Sequence, residues 1–373
     1  MSNKVARWGS FTNDHFQLMF NRRRVLHCKI EILNRQDMII GGLEGIVTGG
    51  SITISNDNMV RRSLDISFVA NKTIEIQPHS LLWLDKRLKA WIGVEDVKGE
   101  IQYFNQGIYI ISNPETSVSV SGRTITIKAF DKMHLFAQPF KFETKFNVGT
   151  PIHEAIKAIA NLLGETKLII ESSEFTMPYD MQLAIGSDMQ NALKDITNLY
   201  MNYQIYYNLD GFLVFEKMKN RVYDIPVWEF KDDMDFTISR TMISDYENIK
   251  NYIKCVGKLN DDTGIQPMYE IKIQGSDKTF SIENIGERAT VITEDKYTEE
   301  EQCKKRCEYE IEKTQNLINT FSITSVPIYI INDVNRIIKV YDNDQEYICL
   351  IDGVTVPLSY DGTMQIECHQ IFS

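Results

Sequence analysis

In the first third of the chain, apolar residues fall in short runs with stretches of period-two alternation, as half-buried strands require. Val25 to Leu33, Ile46 to Ser55, Leu64 to Val69, Leu88 to Val94, Gln102 to Ser112 and Arg123 to Phe130 are strand-length segments rich in Ile, Val, Thr, Tyr and Phe. Gly41-Gly42, Gly49-Gly50 and Asn56-Asp57-Asn58 read as the turns between them. Many short strands with such punctuation predict a sandwich or a barrel.

The period then changes. Thr150-Pro151 reads as N-cap and first helical residue. Ile152, Ala155, Ile156, Ile159, Leu162 and Leu163 follow at helical spacing, and Gly164 is a stop. A second helix opens at Ser187, where Gln190 completes a capping box, with Met189, Ala192, Leu193, Ile196, Leu199 and Tyr200 as its stripe. Tyr203 to Phe215 predicts a hairpin turning at Asp210-Gly211.

Strands resume with Phe236 to Ser239, Asn251 to Gly257, Met268 to Gln274 and Arg288 to Ile292. Thr298 and Glu301 form a further capping box for a long helix over 298–319, with Cys303, Cys307 and Ile311 on one face. Phe321 to Val326, Arg336 to Tyr341, Glu346 to Asp352 and Met364 to Phe372 close the chain, with a hairpin tip at Asp342-Asn343-Asp344. The sequence contains no exact internal repeat, but two strand-rich units flank the helical one, which admits a structural repeat.

The predicted class is therefore mainly β with an α+β insert. An N-terminal arm spans 1–24, a first β unit 25–140, an α+β unit 141–225 and a second β unit 226–373. A length of 373 residues fits several cores. No apolar run is long enough for a membrane span, and Met1 to Arg24 lacks the apolar core of a secretory signal. That arm carries Trp8 and Phe11 among polar residues, the composition of a segment that docks on a neighbour. A net charge of −11 argues against gripping nucleic acid through its phosphates, while leaving open a surface past which DNA slides without sticking.

Candidate chemistry is sparse. G-x-S-x-G, H-E-x-x-H, P-loop and G-x-G-x-x-G signatures are absent. His79, His134 and His153 stand apart, without the converging partners a metal needs. Cys303 and Cys307 suit a core seam better than half a zinc site. Asp232, Asp233, Asp235 and the run Glu299 to Glu301 are sequence clusters, not opposed carboxyls across a cleft; the Glu run suits the positive end of its helix. Asn260 to Gly264 and Asp342 to Glu346 fail the calcium-loop pattern. No catalytic, cofactor or metal residue is assigned. Arg61-Arg62 is either a solvated strand edge or an interface pair, since Arg is enriched at protein contacts and binds carboxylates bidentately.

The order of these parts carries a resemblance. Leu43 to Phe68, Tyr103 to Ser112 followed by Thr124 to Asp131, the hairpin Tyr203 to Phe215, Asn248 to Gly257, Ser281 to Gly286 and Tyr347 to Leu358 together resemble baseplate or tail-tip hub proteins of tailed phages and phage-like particles, a lineage that includes VgrG-type hubs. The resemblance covers roughly residues 25–370. It implies two tube-like β-barrels per chain and a homotrimer whose six barrels adapt a six-fold tail tube or distal tail ring to a three-fold tip, spike or central fibre. DNA and tape-measure protein would pass through a polar or acidic lumen without specific binding. It also implies a virion protein of the tail baseplate or tip, made in the host cytoplasm. Hub relatives often carry a C-terminal lytic domain, and a chain closing on its last barrel strands is expected to lack that activity. The alternatives are a tail-associated cell-wall hydrolase, or a receptor-binding module presenting Trp83 and Trp91, although both Trp suit barrel packing.

Overall fold

The computed structural model describes residues 4–6, 26–43, 47–69, 76–95, 98–120, 122–219, 221–231, 236–260, 263–316, 319–343, 345–359 and 362–371. Trp8, Phe11, Asp232, Asp233 and Asp235 lie outside them. The fold is mainly β. The first third holds β1 (Lys4–Ala6), β2 (Leu26–Leu33), β3 (Ile39–Gly42), β4 (Val47–Ser55), β5 (Arg62–Val69), β6 (Arg87–Glu95), β7 (Ile101–Ser119) and β8 (Gly122–Asp131). Within the arm, β1 pairs in parallel with Gln102 to Phe104 of its own chain.

The middle holds β9 (Thr144–Phe146), α1 (Ile152–Leu162), β10 (Leu168–Ile170), β11 (Met181–Leu183), α2 (Met189–Thr197), β12 (Tyr203–Tyr207) and β13 (Leu213–Lys217). Ile152, Ala155, Ile156 and Ile159 of α1 share one buried core with Leu193 and Ile196 of α2 and with Tyr207 and Phe215 of the hairpin. The helical stripes are as the spacing predicts, but the caps differ. Pro151 stands at the N-cap of α1 without a side-chain bond. Asp188, not Ser187, caps α2, its carboxylate accepting from Asn191 N at 2.7 Å. A carboxylate there also meets the positive end of the helix, which makes it the better cap.

The remainder holds β14 (Trp228–Phe230), β15 (Thr237–Ser244), β16 (Tyr252–Val256), β17 (Met268–Lys272), α3 (Ile282–Ile285), β18 (Ala289–Thr293), α4 (Glu300–Asn316), β19 (Asn319–Ser325), β20 (Ile337–Asp342), β21 (Gln345–Pro357) and β22 (Met364–Gln370). Gln302 rather than Glu301 closes the start of α4, accepting from Thr298 N and Glu299 N. The sequence places this helix inside the second β unit. Instead it lies across a separate three-stranded sheet, β17-β16-β18, with Ile253, Cys255, Tyr297, Cys303 and Cys307 as a small core of their own. The cysteines therefore pack as apolar residues, and burial raises each of the three thiols.

In the middle region β10-β13-β12 and β11-β9 form two small sheets, and the remaining strands form one 14-stranded sheet whose main path runs β15-β19-β22-β21-β4-β5-β8-β7-β6-β2-β3. The same strand order occurs twice along this path, as β4-β5-β8-β7 and as β15-β19-β22-β21. In each module a long strand serves two neighbours in turn: the first part of β7 pairs with β6 and its second part with β8, just as β21 pairs first with β20 and then with β22. The modules meet where β21 pairs antiparallel with β4, Val354 opposite Ile54 and Val356 opposite Ile52. All four side chains are buried in a core that continues through Leu64, Ile66, Phe321, Ile323 and Ile366. Each such side chain contributes about 1.5–3 kcal/mol by leaving water, so the joint is part of the fold.

Gly41-Gly42 lies within β3 rather than at a turn, and two further readings are corrected. Gly49-Gly50 lies within β4, where a Cβ on Gly50 (φ +129°) would sit 2.1 Å from the Asp65 carbonyl oxygen. The glycine permits strand contact rather than a turn. Second, β7 does not end at Ser112 but continues through Pro114 to Ser119. A bulge between Ile111 and Asn113 resets the register there, and the imide nitrogen of Pro114 is tolerated on an edge that demands no donor.

Candidate functional site: a buried ionic junction and an open polar face

Three parts of the chain converge on one cluster of buried charges. Arg62 opens β5 and is 1% exposed. Its guanidinium pairs with Asp333, from the segment before β20, and donates to the Tyr207 carbonyl of β12 at 2.5 Å. Its backbone N–H donates to Asp131 Oδ2 at 2.8 Å, and Met133 N donates to Asp131 Oδ1 at 2.9 Å. Next in sequence, Lys132 reaches Glu165 Oε2 at 2.6 Å, the Gly211 carbonyl at 2.9 Å and Asp37 Oδ2 at 3.4 Å. Arg87 and Lys167 complete the shell around Asp37, at 2.5 and 2.9 Å. Asn105 Nδ2 donates to the Leu209 carbonyl, and Asn332 Nδ2 to the Asn105 carbonyl.

The first β module, the α+β unit and the second module are thus tied by directional bonds through their buried junction. Ion pairs of this kind confer little net stability over apolar packing, because both charges are desolvated. They do penalise any arrangement that separates one partner, and so define a single relative placement. Burial pushes the Asp131 carboxyl up to about 6, although the Arg62 guanidinium and the two N–H donors pull it down. Burial also raises Asp37, but Lys132, Lys167 and Arg87 together hold that carboxyl below its ordinary value. Burial lowers Lys132, against the pull of Glu165 and Asp37.

Gly211 supplies the turn of the hairpin. Its φ is +76°, and a Cβ there would lie 2.9 Å from Ile108 Cδ1, so the bare backbone lets its carbonyl approach Lys132. The Asp-Gly turn read from the sequence therefore also serves the junction.

On the large sheet, residues alternating with the core form a second candidate surface. Ser51, Thr53, Ser63, Asp65, Ser67, Thr126 and Lys128 in the first module continue into Thr355, Gln365, Glu367, Ser322 and Thr324 in the second, all half-buried or exposed. Cross-strand bonds order this face: Ser67 with Thr126 at 2.9 Å, Ser322 with Glu367 at 2.8 Å and Thr324 with Gln365 at 2.8 Å. Hydroxyls and amides with few charges give a surface that is wetted yet lacks the clustered cations that hold phosphate.

The sequence singles out Arg61 and Arg62 as a solvated edge or a contact with a neighbour; both are enclosed by their own chain. Arg61 is 6% exposed, donates to Asn56 Oδ1 and Gln204 Oε1, and lies over the Tyr206 ring at 4.0 Å. The interface they serve is internal. Trp91 is buried, with Nε1 donating to Glu31 at 2.8 Å, while Trp83 is half-buried. Asp37, Arg87, Glu165 and Asp333 were not singled out by sequence. None of the four belongs to a motif, and nothing local signals that four distant segments meet. Among the described residues no three His, Cys, Asp or Glu side chains gather as a metal site would require, and no helix is long and apolar enough to cross a membrane.

No family model matches the sequence, and no curated protein matches it by sequence. The fold is nevertheless a known one, shared with solved phage and prophage tail proteins and with a chain of a VgrG complex. Similar solved structures include the 43 kDa tail protein of prophage MuSo2 from Shewanella oneidensis, 14% identical with a TM-score of 0.61 over 92% of this chain and 98% of that one. The tail protein from Neisseria meningitidis MC58 is 13% identical with a TM-score of 0.62, over 92% and 96%. A chain of the lidded Francisella PdpA–VgrG complex is 11% identical with a TM-score of 0.57, over 94% of this chain and 53% of that one. The resemblance drawn from the order of sequence elements is borne out at the level of fold.

Proposed function

We propose that this chain is a structural tail hub subunit of a phage or phage-like particle. Three copies form a ring that joins a six-fold tail tube or distal tail ring to a three-fold tip, spike or central fibre. The observation that carries this reading is the duplicated strand order, since two alike modules per chain let three chains present six equivalent positions. The fold shared with proteins described as tail proteins supports the same reading. In this proposal the domain boundaries are 1–24, 25–140, 141–225 and 226–373, with residues 25–140 and 226–373 as tube-like barrels, the second interrupted by the separate β16–β18 sheet and α4. The arm, with Trp8 and Phe11, docks on a neighbouring subunit. The Ser- and Thr-rich face of the sheet lines the channel, past which DNA and tape-measure protein move without being held. The ionic junction keeps the α+β unit and both modules in one rigid body, as a ring under mechanical stress requires.

Light scattering after gel filtration, with native mass spectrometry, tests the assembly. The expected mass is that of three chains. A monomer at micromolar concentration, together with particles that contain no three-fold ring of this chain, would sink the reading. The subunit is assigned no catalytic role, and a peptidoglycan zymogram is expected to show no clearing.

A further inference from the structure

The two modules agree in register as well as in order. In the first, β7 and β8 pair with a bulge between Ile111 and Asn113; in the second, β21 and β22 pair with a bulge between Ile351 and Gly353. Likewise β4 and β5 carry a bulge between Val47 and Gly49, and β15 and β19 one between Thr237 and Ser239. The remaining ladder agrees with both alignments: Leu64 opposite Ala129 and Ile66 opposite Ile127 correspond to Phe321 opposite Cys368 and Ile323 opposite Ile366. Asn113 to Ser117 on β7 therefore correspond to Gly353 to Pro357 on β21, and Ser51 to Ser55 on β4 correspond to Thr241 to Asp245.

Each module thus has two unlike edges. Inside the chain, the β21 edge of the second module is joined to the β4 edge of the first. The β7 edge of the first module and the β15 edge of the second are left over. Among the described residues, neither Asn113 to Ser117 nor β15 has a strand on its second side. The leftover edges keep only part of the joint's apolar character, since Ser244 and Thr116 stand where the joint has Ile54 and Val356, but they carry exposed apolar side chains. Met242, the counterpart of Ile52, is 42% exposed where Ile52 is fully buried, and Ile243 is 58% exposed. Val118, farther along the β7 edge, is 79% exposed. An open depression of about 630 Å3 lined by Ile243, Ser244, Asp245 and Tyr246 borders the end of β15, where an arriving strand would begin.

We propose that the β7 tail of one copy pairs antiparallel with β15 of the next copy, repeating the β21–β4 joint between chains, with Asn113 opposite Asp245, Glu115 opposite Ile243 and Ser117 opposite Thr241. A second copy is the partner because it carries the complementary edge in the register that the chain already uses. The contact is head-to-tail, so it closes into a ring when the rotation allows. This rests on the hub reading and adds to it the strands that make the ring. The internal joint is bonded at 2.9 Å by Leu358 N to the Gly50 carbonyl and by Asn56 N to the Asp352 carbonyl, so Val354 and Val356 direct their N–H groups at β4. By correspondence Thr116 donates across the joint, whereas Pro114 cannot. One ladder bond is therefore missing, and the same Pro blunts the free edge against indiscriminate pairing.

Cysteine cross-linking tests the register. Glu115 and Ile243 form a non-hydrogen-bonded pair, where Cα atoms lie about 4.5 Å apart, within disulfide reach. Under mild oxidation the double variant E115C/I243C is expected to give covalent dimers and closed trimers on non-reducing gels, in purified protein and in assembled tails. E115C alone, I243C alone and the slipped pair E115C/M242C are expected to give neither, since one step of slip turns the side chain to the other face. As a second measurement, Thr116→Pro removes only the outward donor. It is expected to leave the melting temperature of the monomer unchanged and to weaken assembly about tenfold, one hydrogen bond's worth. Trimers that form normally while E115C/I243C stays uncross-linked overturn this joint and leave the hub reading standing. Absence of any trimer in solution or in tails removes the hub reading itself.

Discussion

The first strands of the two modules, β4 and β15, hold corresponding places in the same strand order and have different fates. In β4, Ile52 and Ile54 are buried because β21 closes over that edge. In β15, the corresponding Met242 and Ser244 face an edge that nothing in the described chain covers. What decides burial is therefore not the strand's pattern but whether a complementary edge is available. Within one chain only one of the two joints can be made.

The contrast is broken most sharply by placing a charge at the two corresponding positions. Ile52→Asp puts a carboxylate in the core of the internal joint and is expected to cost 5 kcal/mol or more in urea denaturation, roughly the margin of a domain. Met242→Asp should change monomer stability by less than about 0.5 kcal/mol, with its effect confined to assembly. Equal losses from both would show that β15 is already part of a covered core.

The ionic junction sharpens the same question for the module boundaries. Arg62→Met leaves Asp333 buried without its partner and is expected to lose about 3–5 kcal/mol. Adding Asp333→Asn, which keeps the acceptor for Val334 N, should recover most of that loss. Failure of the double variant to recover would mean that the arginine stem, not its charge, holds the junction.

Smaller effects should follow pH. Because the folded chain holds the Asp131 proton up to about 6, while the unfolded chain releases it near 4, its linkage is opposite to that of an ordinary buried salt bridge. Stability is favoured below about 4, declines as pH rises from 4 to 6, and is level above. At about 1.4 kcal/mol per unit the decline is on the order of 3 kcal/mol. Asp37, held below its ordinary value, works the other way, its stabilisation being lost as pH falls through the acid range. Denaturation of wild type and Asp131→Asn at pH 4, 5 and 6 separates the two, since only the Asp131 component disappears in the variant. Smallest among the internal changes, Gly211→Ala is expected to cost about 1–2 kcal/mol through its positive φ and the contact with Ile108, measured as a shift in melting temperature.

Much of this architecture was legible in the chain. Ile125 and Ile127 alternating with Thr124 and Thr126 define a strand with one dry face, and the stripe from Ile152 to Ile159 defines a helix, because burial of a periodic face acts locally. The seam of Cys303, Cys307 and Ile311 was legible for the same reason. The ends of elements were less so. Ser187 and Asp188 are both competent caps, and only the path of the backbone into α2 chooses between them. Asn113-Pro114 carries every local mark of a strand end, yet β7 runs through it, because that nitrogen lies on an edge where no donor is needed.

Local periodicity, set by the backbone geometry of each segment, thus determined from sequence alone the mainly β class, the α+β insert and the faces that turn inward. Only the tertiary structure decided which strands are neighbours, because pairing and charge burial join residues hundreds of positions apart, as Arg62 meets Asp333. Only there do two strand-rich stretches without an exact repeat become two copies of one register, and the arginines become a lock within the chain.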